Sequence, residues 1–366
     1  MGLIRFLLAC TVILCHTSNT NGYVPLSGNL AVQIFYIISG FYMAMVLTEK
    51  YNFKGATRQF YMNRALKIYP PYLIVLVLLV IWALIARLLH YPGTLDFYTK
   101  YCSPSIGTLI YLVIINLFLF GLETVFLLKI NKDGNLHLPN FTGTRPNVNN
   151  FAFNPIAWTI GIELLFYLMA PWLVKRKTYV LFLIFVASLL VRIVTAGIFF
   201  DGPPWNYMFF PSQLMFFIAG IFSYRGYVFL KGKKISKKVN WIVYLLFISF
   251  VLLYSQFFAE SYYKNLALFS ATALFIPFIF DLTKNFRFDR LAGDIAYPVY
   301  ISQFLIIRIM TVKKFPKIFG TAPTAIILII AFSILLELLL RKYINKFKYN
   351  ISPNQIHAEA KELRYS

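Results

Sequence analysis

Residues 70–90 read PPYLIVLVLLVIWALIARLLH, and how this stretch is read decides the fold. About 20 apolar residues in a helix cross the ~30 Å hydrocarbon core of a bilayer. This run has that length and only one charge, Arg87. The segment before it, 49–69, carries Lys50, Lys54, Arg58, Arg64 and Lys67. Working outward, apolar runs of similar kind lie at 3–18, 29–48, 106–128, 155–174, 178–199, 210–227, 239–257, 265–282, 292–311 and 321–341. The expected fold is therefore an all-α polytopic membrane bundle.

Composition agrees. Of 366 residues, 59% are hydrophobic, 19% aromatic and 13% charged, where a soluble domain has about 25% charged residues. No repeat or low-complexity tract divides the chain, so one membrane domain is expected over 1–345, with a cytoplasmic tail at 346–366. The start, ending Leu-Leu-Ala-Cys10, resembles a lipoprotein signal. Its apolar part is short, and the run continues through Val12, Ile13 and Leu14, so it reads as a retained first span with Arg5 snorkelling to the headgroups. The three cysteines, Cys10, Cys15 and Cys102, form no disulfide framework.

The net charge of +22 sits in short clusters between apolar runs. These are the 49–69 segment, 175–177, 225–238, 284–290 and the stretch from Arg341 to Lys348. This is the pattern of cytoplasmic loops facing anionic lipid, not of a nucleic-acid-binding domain. Loops 17–28 and 200–211 carry no Lys or Arg and belong outside. Three apolar runs separate the basic loops at 49–69 and 175–177, and an odd number of crossings cannot leave both on one side. The run 106–128 is therefore expected not to cross but to be re-entrant or to lie along the outer surface, making 91–154 one outer segment. About ten crossings result, with both termini inside. Lys313, Lys314 and Lys317 fit poorly, because they fall in an outer loop.

A polar group in the hydrocarbon is expensive and calls for a reason. His16 lies eleven residues beyond Arg5, about 16 Å along a helix and on nearly the same face. Ser39, Glu163 and Gln303 each reach about 12–16 Å into their own spans. Taken singly, such residues can simply satisfy neighbouring carbonyls. Together they suggest a shared layer in which Glu163 orients His16 as a general base toward an acceptor hydroxyl. Arg64 and Lys67, three apart, share a helix face and suit a polyphosphate at the inner mouth; ordinary positive-inside charge is the bland alternative.

In this order, the residues resemble the acyltransferase-3 family of membrane acyltransferases. Arg5 followed after ten residues by His16 matches its first-span pattern. Phe35-Tyr36-Ile37-Ile38-Ser39-Gly40-Phe41 resembles its Phe-Phe-x-x-Ser-Gly-Phe element. Arg64-Ala65-Leu66-Lys67-Ile68-Tyr69-Pro70 resembles its Arg-x-x-Arg-Ile-x-Pro loop, with Lys67 in place of an arginine. Trp158-Thr159-Ile160-Gly161-Ile162-Glu163, with Phe166 and Tyr167, resembles its Trp-Ser-Leu-x-x-Glu element. Gly293, Ala296, Tyr297 and Tyr300 follow its late Gly-x-x-Ser-Tyr-x-x-Tyr stretch, with Gln303 where many members have His.

The resemblance implies that acyl-CoA, acetyl-CoA in the commonest family role, meets Arg5, Arg64 and Lys67 from the cytoplasm. The acceptor is a hydroxyl of a surface polysaccharide or lipid-linked glycan. His16 acts as base or transient acyl carrier with Glu163 beside it, and Tyr36, Ser39, Trp158, Tyr167, Tyr300 and Gln303 line the site. No metal and no resident cofactor is expected. The rival readings are a proton-coupled transporter and a polysaccharide flippase or polymerase.

Overall fold

The structure is a computed structural model that describes residues 1–17, 24–101, 103–131, 133–138, 148–198, 204–233, 235–257, 262–311 and 320–347. Cys102, residues 18–23 of loop 17–28, residues 312–319 with Lys313, Lys314 and Lys317, and the expected tail beyond residue 347 lie outside the described residues.

Among the described residues, eight helices are long and apolar enough to cross a membrane. They are α2 (Gly28–Glu49), α3 (Ala56–Leu88), α6 (Trp158–Leu173, lengthened to a span by the preceding 3-10 turn Pro155–Ala157), α7 (Thr178–Ile198), α8 (Phe210–Lys231), α9 (Lys237–Phe257), α10 (Tyr262–Thr283) and α12 (Thr321–Phe347). Two more complete the alternation. Helix α1 (Gly2–His16) is apolar but has 15 residues, about 22 Å of rise. Helix α11 (Arg287–Met310) is 24 residues long but carries Arg287, Asp289, Arg290, Asp294 and Arg308. These ten run up and down in chain order. One end of the bundle gathers the connections 50–55, 174–177, 232–236 and 284–286, and is called here the basic end. The opposite is the far end.

The segment expected not to cross does not cross. Thr94–Asp96 forms a single turn, α4, and α5 (Ile106–Phe118) then enters from the far end. Its tip meets the middle of α3, where the Tyr69 hydroxyl donates to the Phe118 carbonyl at 2.6 Å and the Tyr72 hydroxyl donates to the Asn116 carbonyl. Leu119 (φ 65°) and Gly121 (φ 79°) turn the chain back. A short hairpin, β1 (Lys129–Ile130) with β2 (Leu136–His137), returns the Gly134 carbonyl to the entry point, where it accepts from Ser105 N at 3.0 Å and from Thr108 Oγ1 at 2.7 Å. Entry and exit lie side by side. The tyrosine donors also satisfy carbonyls that would otherwise be unpaired at depth.

The basic segment differs from expectation. Instead of a loop ending at Pro70, helix α3 starts at Ala56 and runs through Pro70 and Pro71. The prolines remove two donors from the ladder, and the nearby Ile68 carbonyl accepts from the Tyr297 hydroxyl at 2.8 Å. Arg64 and Lys67 are thus fixed on helix turns.

Helix α2 is the centre of the bundle, with 72% of its span buried against 17% for peripheral α7. Its closest crossing is with α8 and depends on glycine. A Cβ on Gly40 would lie 2.0 Å from the Phe217 carbonyl oxygen, and one on Gly220 would lie 2.0 Å from that of Ile37. Small residues at such crossings let backbones meet directly. Gly40→Ala is expected to lower stability by about 1–3 kcal/mol through overpacking, read as an earlier thermal unfolding of the purified protein. Gly226→Ala, on the same α8 but with open space around it, should unfold like the wild type.

At the basic end, α1 is pinned to α11. Asp289 accepts from the backbone N–H groups of Gly2 at 2.8 Å and Leu3 at 3.0 Å, placing a carboxylate on a helix N-terminus. Gly2 and Gly293 make the close approach possible, since a Cβ on Gly2 would overlap the Asp289 carbonyl. This contact sets the height of Arg5, one turn further along.

Candidate functional site

Between α1, α2, α3, α6 and α11, a cavity of about 370 Å³ opens near the basic end. Arg5, Arg64 and Lys67 line it, with Ser39, Glu163 and Tyr167 also in its wall. Among the described residues, none of the three cations makes a hydrogen bond or ion pair. The Arg64 Nε is buried and unpartnered. Its guanidinium lies 5.7 Å over the Phe60 ring and 5.9 Å over that of Tyr167, which holds it without neutralising it. Lys284 also lines the cavity, but Asp281, at 2.7 Å, compensates it and raises its pKa. A second cavity of about 380 Å³ shares Arg64, Lys67 and Tyr297 and adds Lys50, Asn63 and Arg341. Arg64 and Lys67 thus stand on a wall between two polar chambers.

Glu163 stands where the first cavity narrows. Its Oε1 accepts from Ser39 Oγ at 2.6 Å and from the Tyr167 hydroxyl. Ser39 can face Glu163 because its neighbour Gly40 faces α8, so adjacent motif residues serve opposite sides of α2. Beyond Glu163 lies a narrow chamber of about 40 Å³ that also touches Arg5, Tyr36, Thr159 and Tyr300. Arg5, Glu163 and Tyr297 belong to both walls, so the chambers adjoin. Thr159 Oγ1 donates to the Tyr300 hydroxyl at 2.9 Å, and that hydroxyl donates to the Ile156 carbonyl at 3.4 Å.

His16 lies elsewhere than the sequence suggests. It ends α1 near the far end, exposed, and lines neither chamber. It makes no hydrogen bond to Glu163; its Nδ1 meets Gln303 Oε1 at 3.3 Å. The amide of Gln303, fully buried, donates from Nε2 to the Tyr300 carbonyl at 2.9 Å. Its oxygen is thereby turned to the imidazole, which makes Nδ1 the donor and leaves the Nε2 lone pair free. The side-chain partner of the imidazole is therefore Gln303, not Glu163. Periodicity told which face of α1 holds His16 but not which helix lies against that face. Gln303 is one turn from Tyr300, which ties the imidazole to the narrow chamber through α11.

Trp158 packs edge-on against Tyr207 at 5.0 Å, and Tyr36 stacks on Phe217 at 4.6 Å. Two features of this region escaped the sequence reading. Tyr297 touches all three chambers, and its place in the late motif was the available signal. Arg192 of α7 lies over the Phe216 ring at 5.4 Å and donates to the Asn206 carbonyl at 2.7 Å. Gln33, with its amide oxygen turned to the guanidinium, accepts from both Nη atoms at 3.1 Å. A charge inside an otherwise apolar run would have flagged it.

A family model described as an acyltransferase domain matches residues 1–342. No curated protein and no solved structure matches the chain.

Proposed function

The chain belongs to the acyltransferase-3 family, and from that membership we propose that it is an O-acyltransferase moving an acyl group, acetyl in the simplest case, from acyl-CoA to a glycan hydroxyl. The carrying observation is the set of three cations, Arg5, Arg64 and Lys67, that line one cavity and, among the described residues, make no hydrogen bond or ion pair. Unpaired charges in a half-buried site are costly unless a ligand neutralises them. Phosphates suit them, with Arg64 able to grip two oxygens at once and Lys67 acting as a point charge.

In this reading the basic end faces the bacterial cytoplasm, as its loop charges favour. The phosphates of the donor stay among the cations while the thioester extends past Glu163 toward Tyr300. Glu163, Ser39 and Tyr167 form a fixed polar collar at the constriction. On the far side, His16 Nε2 removes the proton from the acceptor hydroxyl, and the oxygen attacks the thioester carbonyl. The C–O bond forms, the C–S bond breaks, and the proton held by the imidazole passes to the departing thiolate. Gln303 keeps the imidazole in the tautomer this requires. The acceptor is a surface or lipid-linked glycan.

Inverted membrane vesicles containing the protein, given acetyl-CoA labelled in the acetyl group, test the reading. Label is expected in a lumenal glycan as an alkali-labile ester. Vesicles that accumulate no ester but move protons or unmodified glycan would replace it with one of the rival readings.

A further inference from the structure

A cavity at the far end of α3 and α11 lies apart from the donor chambers and shares none of their lining residues. It measures about 140 Å³ and is walled by Trp82 and Ala86 of α3, Tyr91 and Thr94 just beyond it, and Phe304 and Arg308 of α11. No carboxylate stands among its lining residues. Arg308 is half-buried, with its guanidinium 4.7 Å over the Phe304 ring. Among the described residues its side chain makes no hydrogen bond or ion pair, and the hydroxyl of Thr94, a largely buried residue, makes none either.

Depth and charge both bear on the ligand. Arg308 is two residues from the end of α11, and Trp82 and Tyr91 flank it as aromatics do at the headgroup level. A cation there runs against the charge pattern, which gathers Lys and Arg at the opposite end. The sequence continues the anomaly with Lys313, Lys314 and Lys317, which lie outside the described residues and form no part of the wall. The volume exceeds what a single water needs and leaves room for a tetrahedral oxyanion.

We infer that this cavity binds the phosphate ester of a membrane lipid, with Arg308 pairing two phosphate oxygens and Thr94 donating to a third. The lipid is either an anionic phospholipid or a polyprenyl phosphate of the kind that carries glycans. Along α11, Arg308 lies five residues beyond Gln303, about 7.5 Å, so a sugar on a phosphate held here sits near the level of His16. Binding is read without donor or acceptor, so it stands or falls separately from the acyl-transfer reading.

The test uses the full chain in phosphatidylcholine nanodiscs, with native mass spectrometry counting bound undecaprenyl phosphate, phosphatidylglycerol or added phosphatidylcholine. Wild type is expected to bind a phosphate-charged probe at least 10-fold more tightly than Arg308→Gln, with Arg308→Lys between them. A preference for undecaprenyl phosphate identifies a carrier site, and equal binding of phosphatidylglycerol identifies an anionic-phospholipid site. If Arg308→Gln does not fold, Thr94→Val takes its place, with a several-fold loss expected. Unchanged binding in the folded variant, or phosphatidylcholine binding as well as the anionic probes, overturns the inference.

Discussion

Replacing His16 with alanine is expected to lower acyl transfer about 10²–10⁴-fold, the range for loss of a general base, while the bundle stays folded. The imidazole is exposed at the end of α1, and its one side-chain hydrogen bond, to Gln303 at 3.3 Å, is long. Thermal unfolding should therefore change little. Gln303→Leu separates base from orienter: the imidazole remains but nothing fixes its tautomer. A lost neutral hydrogen bond is worth about 0.5–1.5 kcal/mol, so roughly a 2- to 10-fold fall in kcat is expected with donor KM unchanged. Intact-mass analysis with donor but no acceptor adds the chemical distinction: an acetyl group on His16 indicates an acyl carrier, and its absence indicates a base. Full activity in His16→Ala would remove the residue from the mechanism and leave the far-end chemistry to Tyr300 and its neighbours.

Different features of the site were legible to different degrees. The spans were legible because lipid demands apolar side chains over a fixed length. The re-entrant segment was legible from loop charge alone: 106–128 could not cross without moving a basic loop to the wrong side, and Gly134 returns beside Ser105 as that argument requires. The start of α3 was not legible. Residues 56–69 lie where apolar side chains are not required, so a helix there leaves no hydropathy signal, and Pro70 read as a beginning. Depth estimates brought His16, Ser39, Glu163 and Gln303 to similar levels, but level is one coordinate of three. The structure resolves them into two groups, Ser39 with Glu163 and His16 with Gln303, joined through α11. Which helix faces which is set by contacts such as Gly40 against Phe217 and Gly2 against Asp289, and neither can be read from one helix's own periodicity. Arg192 and Arg308 were visible as charges in apolar runs, but their charge alone did not show what they face.

Arg64→Ala is expected to raise the KM for acetyl-CoA about 10- to 100-fold and leave the acceptor KM unchanged. Hydrogen bonds to charged groups are worth about 1.5–3 kcal/mol, and Arg64 is already held over two rings with its Nε unpartnered, so little ordering entropy offsets that contact. Alanine also removes a charge that makes no ion pair among the described residues, so the loss is specific to an anionic ligand. Acetyl-pantetheine, which carries the same thioester without the nucleotide phosphates, makes this visible. Wild type should strongly prefer acetyl-CoA over it, and Arg64→Ala should narrow that preference by the same factor by which it raises the acetyl-CoA KM. Arg64→Lys keeps a point charge but loses the two-pronged grip and should fall between them. Lys67→Arg should act the other way and tighten donor binding, since the same helix face then offers two guanidinium groups. An unchanged acetyl-CoA KM in Arg64→Ala, or equal losses for acetyl-CoA and acetyl-pantetheine, would show that the donor phosphates lie elsewhere, with Lys50 and Arg341 of the adjoining chamber the next cations to test.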